Sequence, residues 1–220
     1  MRILILGGIR EASTLATKLV QEGHDVTTSL AGRTKEPKPL KGKVRTGGFG
    51  GIEGLANYLE EHSVDLLIDC THPFAKQISA NALEASRRSG IKLEIHTRKP
   101  WKHQQGDQWK EVSSLEQARD EIPKNARVLL ALGSQYIDLF KTREDVFYLV
   151  RIVDAPEKEL PLPHHTLLLG KPFANWQDEM EVLKANKITH IVCRNSGGKG
   201  AYAKIEAARH LELPIIMVSQ

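Results

Sequence analysis

Short apolar runs alternate along the chain with stretches in which hydrophobic side chains return every three or four positions. A short run bounded by turn residues reads as a buried strand, and a 3.6-residue period reads as a helix with one buried face. The pattern predicts strands over residues 2–6, 25–30 and 44–46, with a helix after the first of them through about residue 21. A helix over 52–62, a buried strand over 65–70, a helix over 74–89 and a strand over 92–96 follow. The rhythm breaks over 97–108, which holds Pro100, Gly106, Trp101 and many polar residues. It resumes with helices over 114–121, 135–141, 176–186 and 201–211, and strands over 127–132, 146–153, 166–169, 189–193 and 215–218. Strands that alternate with helices predict parallel sheets covered on both faces. The fold expected is therefore α/β, two domains in tandem with mainly parallel sheets and a cleft between them. The first would span residues 1–99 and the second 100–220.

Composition narrows the function. Charged residues make up 26% of the 220 and hydrophobic residues 40%, enough for a core without disulfides. The formal charge of +4 is spread along the chain with no long basic tract, and aromatic residues are only 5%. Stacking platforms for single strands are therefore scarce, and a small anionic ligand fits better than nucleic acid. No apolar run approaches the length of a membrane helix, and the opening stretch is too short for a signal peptide. Cys70 and Cys193 lie far apart without metal-type spacing, so a reduced, cytoplasmic setting and no metal are expected. The nucleophile elbow G-x-S-x-G, the zinc motif H-E-x-x-H and the Tyr-x-x-x-Lys pair of short-chain dehydrogenases are all missing.

The unusual residues cluster where strands end, which is where parallel sheets bind ligands. Gly7 and Gly8 follow the first strand and open a helix, with Ile9 and Ala12 in place of the later glycines of G-x-G-x-x-G. A phosphate can approach the backbone there and meet free helix N–H groups. Ser29, Arg33 and Thr34 end the second strand with no acid nearby, a pattern suited to the 2′-phosphate of NADP rather than the bare ribose of NAD. Gly47, Gly48, Phe49, Gly50 and Gly51 form a loop whose entropy cost implies close approach to a ligand. Thr71 and His72 end a buried strand, and Pro73 sits where a first helical residue belongs. His72 is either a hydrogen-bond or proton donor, or a capping residue. Arg194, Asn195, Ser196, Gly197, Gly198 and Lys199 make a further candidate anion pocket.

Taken in order, these motifs resemble the precorrin-6A reductases, including the cobalt-precorrin-6A reductases. Gly7-Gly8 with Glu11-Ala12, the Arg45-to-Gly51 stretch, Asp69 with Thr71-His72-Pro73-Phe74-Ala75, and Asn195-Ser196-Gly197-Gly198 carry the likeness. Pro100-Trp101, Gly106-Asp107 with Trp109, and Lys204 with Ala207-Ala208-Arg209 extend it over nearly the whole chain. Ser134 stands where an Arg is common in that family, and Arg194 where a Lys is common. The resemblance implies two Rossmann-like domains, a monomer, and an enzyme that transfers hydride from NADPH (alternatively NADH) to a ring double bond of a polycarboxylate tetrapyrrole. It places the cofactor against Gly7, Gly8, Glu11, Ser29, Arg33 and Thr71, with the reacting ring near Thr71 and His72. The substrate would meet Gly48, Phe49, Gly50, Gly51, Ser134, Arg194, Asn195, Ser196, Gly197 and Gly198. A reductase of a smaller substrate, a non-catalytic module that senses NADP, and a basic nucleic-acid binder are the alternatives.

Overall fold

The structure is a computed structural model and describes residues 1–32 and 39–220. The chain divides into two compact units, Met1–Arg98 and Lys99–Gln220.

The first unit runs β1 (Arg2–Leu6), α1 (Arg10–Gln21), β2 (Asp25–Leu30), β3 (Lys43–Thr46), α2 (Gly51–Glu61), β4 (Leu66–Asp69), α3 (Lys76–Ser89) and β5 (Lys92–Ile95). Its five strands are all parallel in the order β3-β2-β1-β4-β5. Alternation along β1 explains the two-faced core. Ile3 and Ile5 pack with Ala12 and Ala16 of α1, while Leu4 and Leu6 pack with Leu55 and Leu59 of α2 and Ala82 and Ala85 of α3. The connections leave β1 toward β2 and β3, then return across it to β4 and β5. That reversal puts the crevice of a doubly wound sheet at the carboxyl ends of β1 and β4. Leu6 is in register with both Ser29 and Asp69, so the loops after β1, β2 and β4 depart from one level.

The second unit runs β6 (Trp109–Val112), α4 (Leu115–Asp120), β7 (Arg127–Ala131), a 3₁₀ helix (Ser134–Phe140), β8 (Phe147–Ile152), β9 (His165–Leu169), α5 (Trp176–Ala185), β10 (His190–Arg194), α6 (Ala203–His210) and β11 (Ile215–Val218). Its sheet is again all parallel, in the order β6-β11-β10-β7-β8-β9. Leu129, Leu149, Ile191, Ile205, Ala207, Ala208 and Met217 form its main core.

Three elements depart from the sequence reading. Residues 109–112 are a strand, although Trp-Lys-Glu-Val carries two adjacent charges; an edge position beside β11 tolerates them. Pro73 is not the first residue of a helix. His72, Pro73, Phe74 and Ala75 close a turn through Ala75 N–H to His72 O at 2.7 Å, and α3 begins only at Lys76. The stretch expected as an α-helix after β7 is a 3₁₀ helix, opened by an i to i+3 bond from Tyr136 N–H to Gly133 O at 3.0 Å. Among the described residues no helix is long and apolar enough to cross a membrane, and no group of three His, Cys, Asp or Glu side chains is placed to hold a metal ion. Arg33 and Thr34 lie outside the described residues.

Candidate functional site

In the first unit, Gly7 turns the chain off β1 by donating its N–H to Ser29 O at 2.8 Å. A Cβ there would stand 3.0 Å from Thr28 Cγ2 and 3.2 Å from Leu30 Cδ2, which is why glycine fits. A Cβ on Gly8 would meet His72 N at 3.7 Å and Thr71 Cα at 3.8 Å, so Gly8 faces Thr71 and His72 across the crevice. The N-cap of α1 is Ile9, which provides no side-chain cap. Within the first turn the Ala12 N–H donates to Ile9 O at 3.2 Å and the Glu11 N–H to its own carboxyl, so an anion at this end would meet the positive end of the helix dipole more than a row of spare amides.

The loop after β4 is held from below. The Asp69 side chain, 3% exposed, accepts the Thr71 N–H at 3.0 Å, and Thr71 Oγ1 lies 3.3 Å from Ser79 Oγ. His72 is half-buried, and its Nδ1 accepts the Phe74 N–H at 3.3 Å, which leaves Nε2 as the protonated nitrogen of the neutral ring. Burial pushes the Cys70 thiol up to about 11, with the Glu11 and Asp69 charges adding and Arg98 opposing. It is no nucleophile at neutral pH. Glu11, in the first turn of α1, accepts Arg98 Nε at 2.9 Å and a second bond from Arg98 Nη2. Partial burial pushes the Glu11 carboxyl up, but the Arg98 bond, a bond from Glu11's own N–H and the charges of Arg98 and Arg10 together outweigh it and hold the group below its ordinary range.

The glycine loop after β3 is organised by Arg45. Its Nη1 donates to Ser29 Oγ at 2.7 Å and Gly47 O at 3.1 Å, and its Nη2 donates to Gly48 O at 3.0 Å. The guanidinium lies 3.8 Å from the Phe49 ring centroid. Gly50 caps α2 with φ 81° and ψ 28°, a left-handed conformation that a β-branched residue resists. Gly54 is equally constrained: a Cβ there would stand 1.7 Å from Phe49 O, so the loop folds back onto α2 only because residue 54 has no side chain. Ser29, expected on the cofactor, is buried and engaged by Arg45.

In the second unit, the loops after β7 and β10 leave neighbouring strands. Ser134 is exposed at the start of the 3₁₀ helix, and the Arg194 guanidinium lies 4.8 Å from the Tyr136 ring centroid. Asn195, expected on the substrate, is committed elsewhere. Its Oδ1 accepts Trp101 N–H at 2.7 Å and its Nδ2 donates to Trp101 O at 3.0 Å. Trp101 Nε1 also donates to Gly198 O at 2.7 Å, so the Asn195-to-Gly198 loop is clamped by the tryptophan. Gly197 and Gly198 have φ of 63° and 72°, successive left-handed residues that leave Ser196 and Gly197 buried. Lys204, 3% exposed, donates to Ala201 O at 2.7 Å and lies 5.0 Å from the Trp101 ring; burial pushes its amine below the ordinary value.

Arg45, Gly54, Arg98 and Trp101 were not singled out as site residues by sequence reasoning. A glycine inside a helix (Gly54) was a readable signal of close approach, whereas the partners of Arg98 and Trp101 are distant in sequence.

The chain matches the family described as "Precorrin-6x reductase CbiJ/CobK" over residues 2–220. It is 43% identical over 220 residues to a precorrin-6A reductase of Rhodobacter capsulatus, covering 100% of this chain and 88% of that protein. It is 29% identical over 232 residues to a cobalt-precorrin-6A reductase of Priestia megaterium, covering 99% and 90%. A solved structure of CobK precorrin-6A reductase is similar with a TM-score of 0.96 at 44% identity, covering 100% of this chain and 88% of that one. The matched region runs through both units and takes in every loop described above, and on that ground the chain belongs to the precorrin-6x reductase family.

Proposed function

We propose that the protein is a nicotinamide-dependent reductase of cobalamin biosynthesis that reduces one ring double bond of precorrin-6A, or of its cobalt form, to the 6B product. The observation that carries this reading is the crevice where Gly8 faces Thr71 and His72 at the amino terminus of α1, in a chain of this family. The residues present fit a dinucleotide. Gly7, Gly8 and the positive end of the α1 dipole would hold its phosphates, and Thr71 and His72 would border its reacting end. When bound, a dihydronicotinamide supplies hydride to an electron-poor double bond. The protein's own contribution is orientation and exclusion of water. The unit Met1–Arg98 holds the cofactor, and Lys99–Gln220 offers Ser134 and Arg194 to the carboxylates of the macrocycle, while the Ser196 N–H is spent on Arg194 O at 2.7 Å. Consumption of NADPH with precorrin-6A by the purified protein tests the reading, and absence of turnover with either metal form of the substrate overturns it. The setting proposed is a cytoplasmic monomer.

Preference for NADPH is part of the proposal, and rests on the acid-free end of β2 together with Arg33. Arg33→Glu is expected to raise the Kd for NADPH by about tenfold or more while changing NADH little, since a 2′-phosphate would then meet like charge. Parallel titrations with both cofactors check this, and equal effects remove Arg33 from the phosphate site.

His72 is proposed to orient rather than to donate an obligatory proton. Its Nδ1 accepts the Phe74 N–H at 3.3 Å, a bond that fixes the ring's orientation. An essential general acid contributes about 10²–10⁴-fold, and His72→Ala is expected to fall short of that. Single-turnover measurements across pH decide it. A loss of several hundredfold with disappearance of an ionisation near the ordinary His value of about 6.5 would make His72 the donor.

A further inference from the structure

We infer that Arg98 is a positioning residue for the cofactor: it neutralises Glu11 and so keeps the amino terminus of α1 open to the pyrophosphate of the dinucleotide. The inference rests on the cofactor reading above and assigns that site an electrostatic partner.

Arg98 follows β5, whereas Glu11 sits in the first turn of the helix that follows β1, and β4 lies between those two strands. A bond from Arg98 Nε to Glu11 Oε1 at 2.9 Å must therefore reach across the carboxyl end of β4. Cys70, the first residue beyond β4, feels the charge of both groups, which sets the ion pair over the same crevice. The Arg98 side chain is only 14% exposed and the Glu11 side chain 49%, so the cation is the more enclosed partner. A bare carboxylate at this position would repel a diphosphate arriving at the amino terminus of α1, to which Ile9 gives no side-chain cap. Bound to Arg98, Glu11 still complements the helix dipole, and its charge is cancelled for the ligand. Arg10, exposed at the start of α1, adds positive charge but does not make this pair.

The test is the Kd for NADPH of the full chain, by fluorescence titration at low and high salt, for wild type, Arg98→Ala, Glu11→Gln and the double variant. Arg98→Ala is expected to weaken binding about tenfold or more at low salt and less at high salt. Glu11→Gln is expected to tighten binding, and the double variant is expected to recover to within about threefold of wild type, the non-additivity of a coupled pair. A double variant as weak as Arg98→Ala would mean that Arg98 bonds the phosphate itself and would overturn the inference, as would an Arg98→Ala protein that binds like wild type. Should Arg98→Ala fail to fold, Arg98→Gln with and without Glu11→Gln gives the same comparison. Wild type that binds neither NADPH nor NADH would instead remove the cofactor reading on which the inference stands.

Discussion

Gly54→Ala is expected to reduce turnover about a hundredfold or more while leaving the protein folded and its affinity for the cofactor within a few-fold of wild type. The new methyl carbon would stand 1.7 Å from Phe49 O and 2.8 Å from Phe49 C. Those are backbone atoms, so no rotamer change relieves the overlap, and the loop itself must lift from α2. Lifting it pulls Gly47 O and Gly48 O away from Arg45 and the Phe49 ring off the guanidinium. The proposed macrocycle-facing surface is lost, whereas Gly7 and Gly8, on a different loop, are not touched. Single-turnover rates beside cofactor titrations measure the two effects separately. A variant with normal turnover would show that the loop has no part in substrate binding.

Glu179→Ala is expected to have the largest effect on stability, a loss of about 3–5 kcal/mol. Glu179 is 0% exposed on α5 and accepts Arg151 Nη1 at 2.6 and 2.8 Å and the Phe173 N–H at 2.9 Å. Arg151, on β8, is 5% exposed, and its Nη2 has no hydrogen-bond partner. The carboxylate is thus the counter-charge of a buried guanidinium that also lies near the cation of Lys204. Removing it leaves two like charges in a poorly solvated interior. For a protein of this size the midpoint of thermal unfolding falls roughly 2–4 °C per kcal/mol, so the loss is easily read by calorimetry. Replacing both partners, Arg151→Met with Glu179→Met, is expected to recover most of it. A single variant that loses less than about 1 kcal/mol would show that the pair is well solvated after all.

Strand and helix alternation was legible wherever both faces of a strand are buried. The runs at β1, β4 and β7 are mostly Ile, Leu, Val and Ala, β10 has an apolar Ile-Val-Cys centre, and each proved to be a central parallel strand. β6 was not legible, because Lys110 and Glu111 on an edge strand look like loop residues until β11 is seen beside them. The start of α3 was misplaced because Pro at a helix start and Pro in a turn share the same φ; only the Ala75-to-His72 bond separates the two. For the site, glycine-rich loops at strand ends were visible by their composition. What those loops are tied to was not, since Asn195 with Trp101 and Glu11 with Arg98 are long-range pairs with no local periodicity. A polar residue in a glycine loop reads as a ligand contact, and Asn195 shows how a clamp on the backbone produces the same pattern.

The position of β11 inside its sheet has a consequence for how the second unit comes to be folded. It follows every other strand of that unit in sequence, yet it lies between β10 and β6, with Ile215 in register with both Ile191 and Trp109. During synthesis β6 therefore waits without a strand partner until nearly all of its unit has emerged. Its pairing is the most non-local of the sheet, and such closures are slow because chain entropy is lost before contacts repay it. The charged Lys110 and Glu111 on that waiting strand discourage it from pairing with another chain in the meantime.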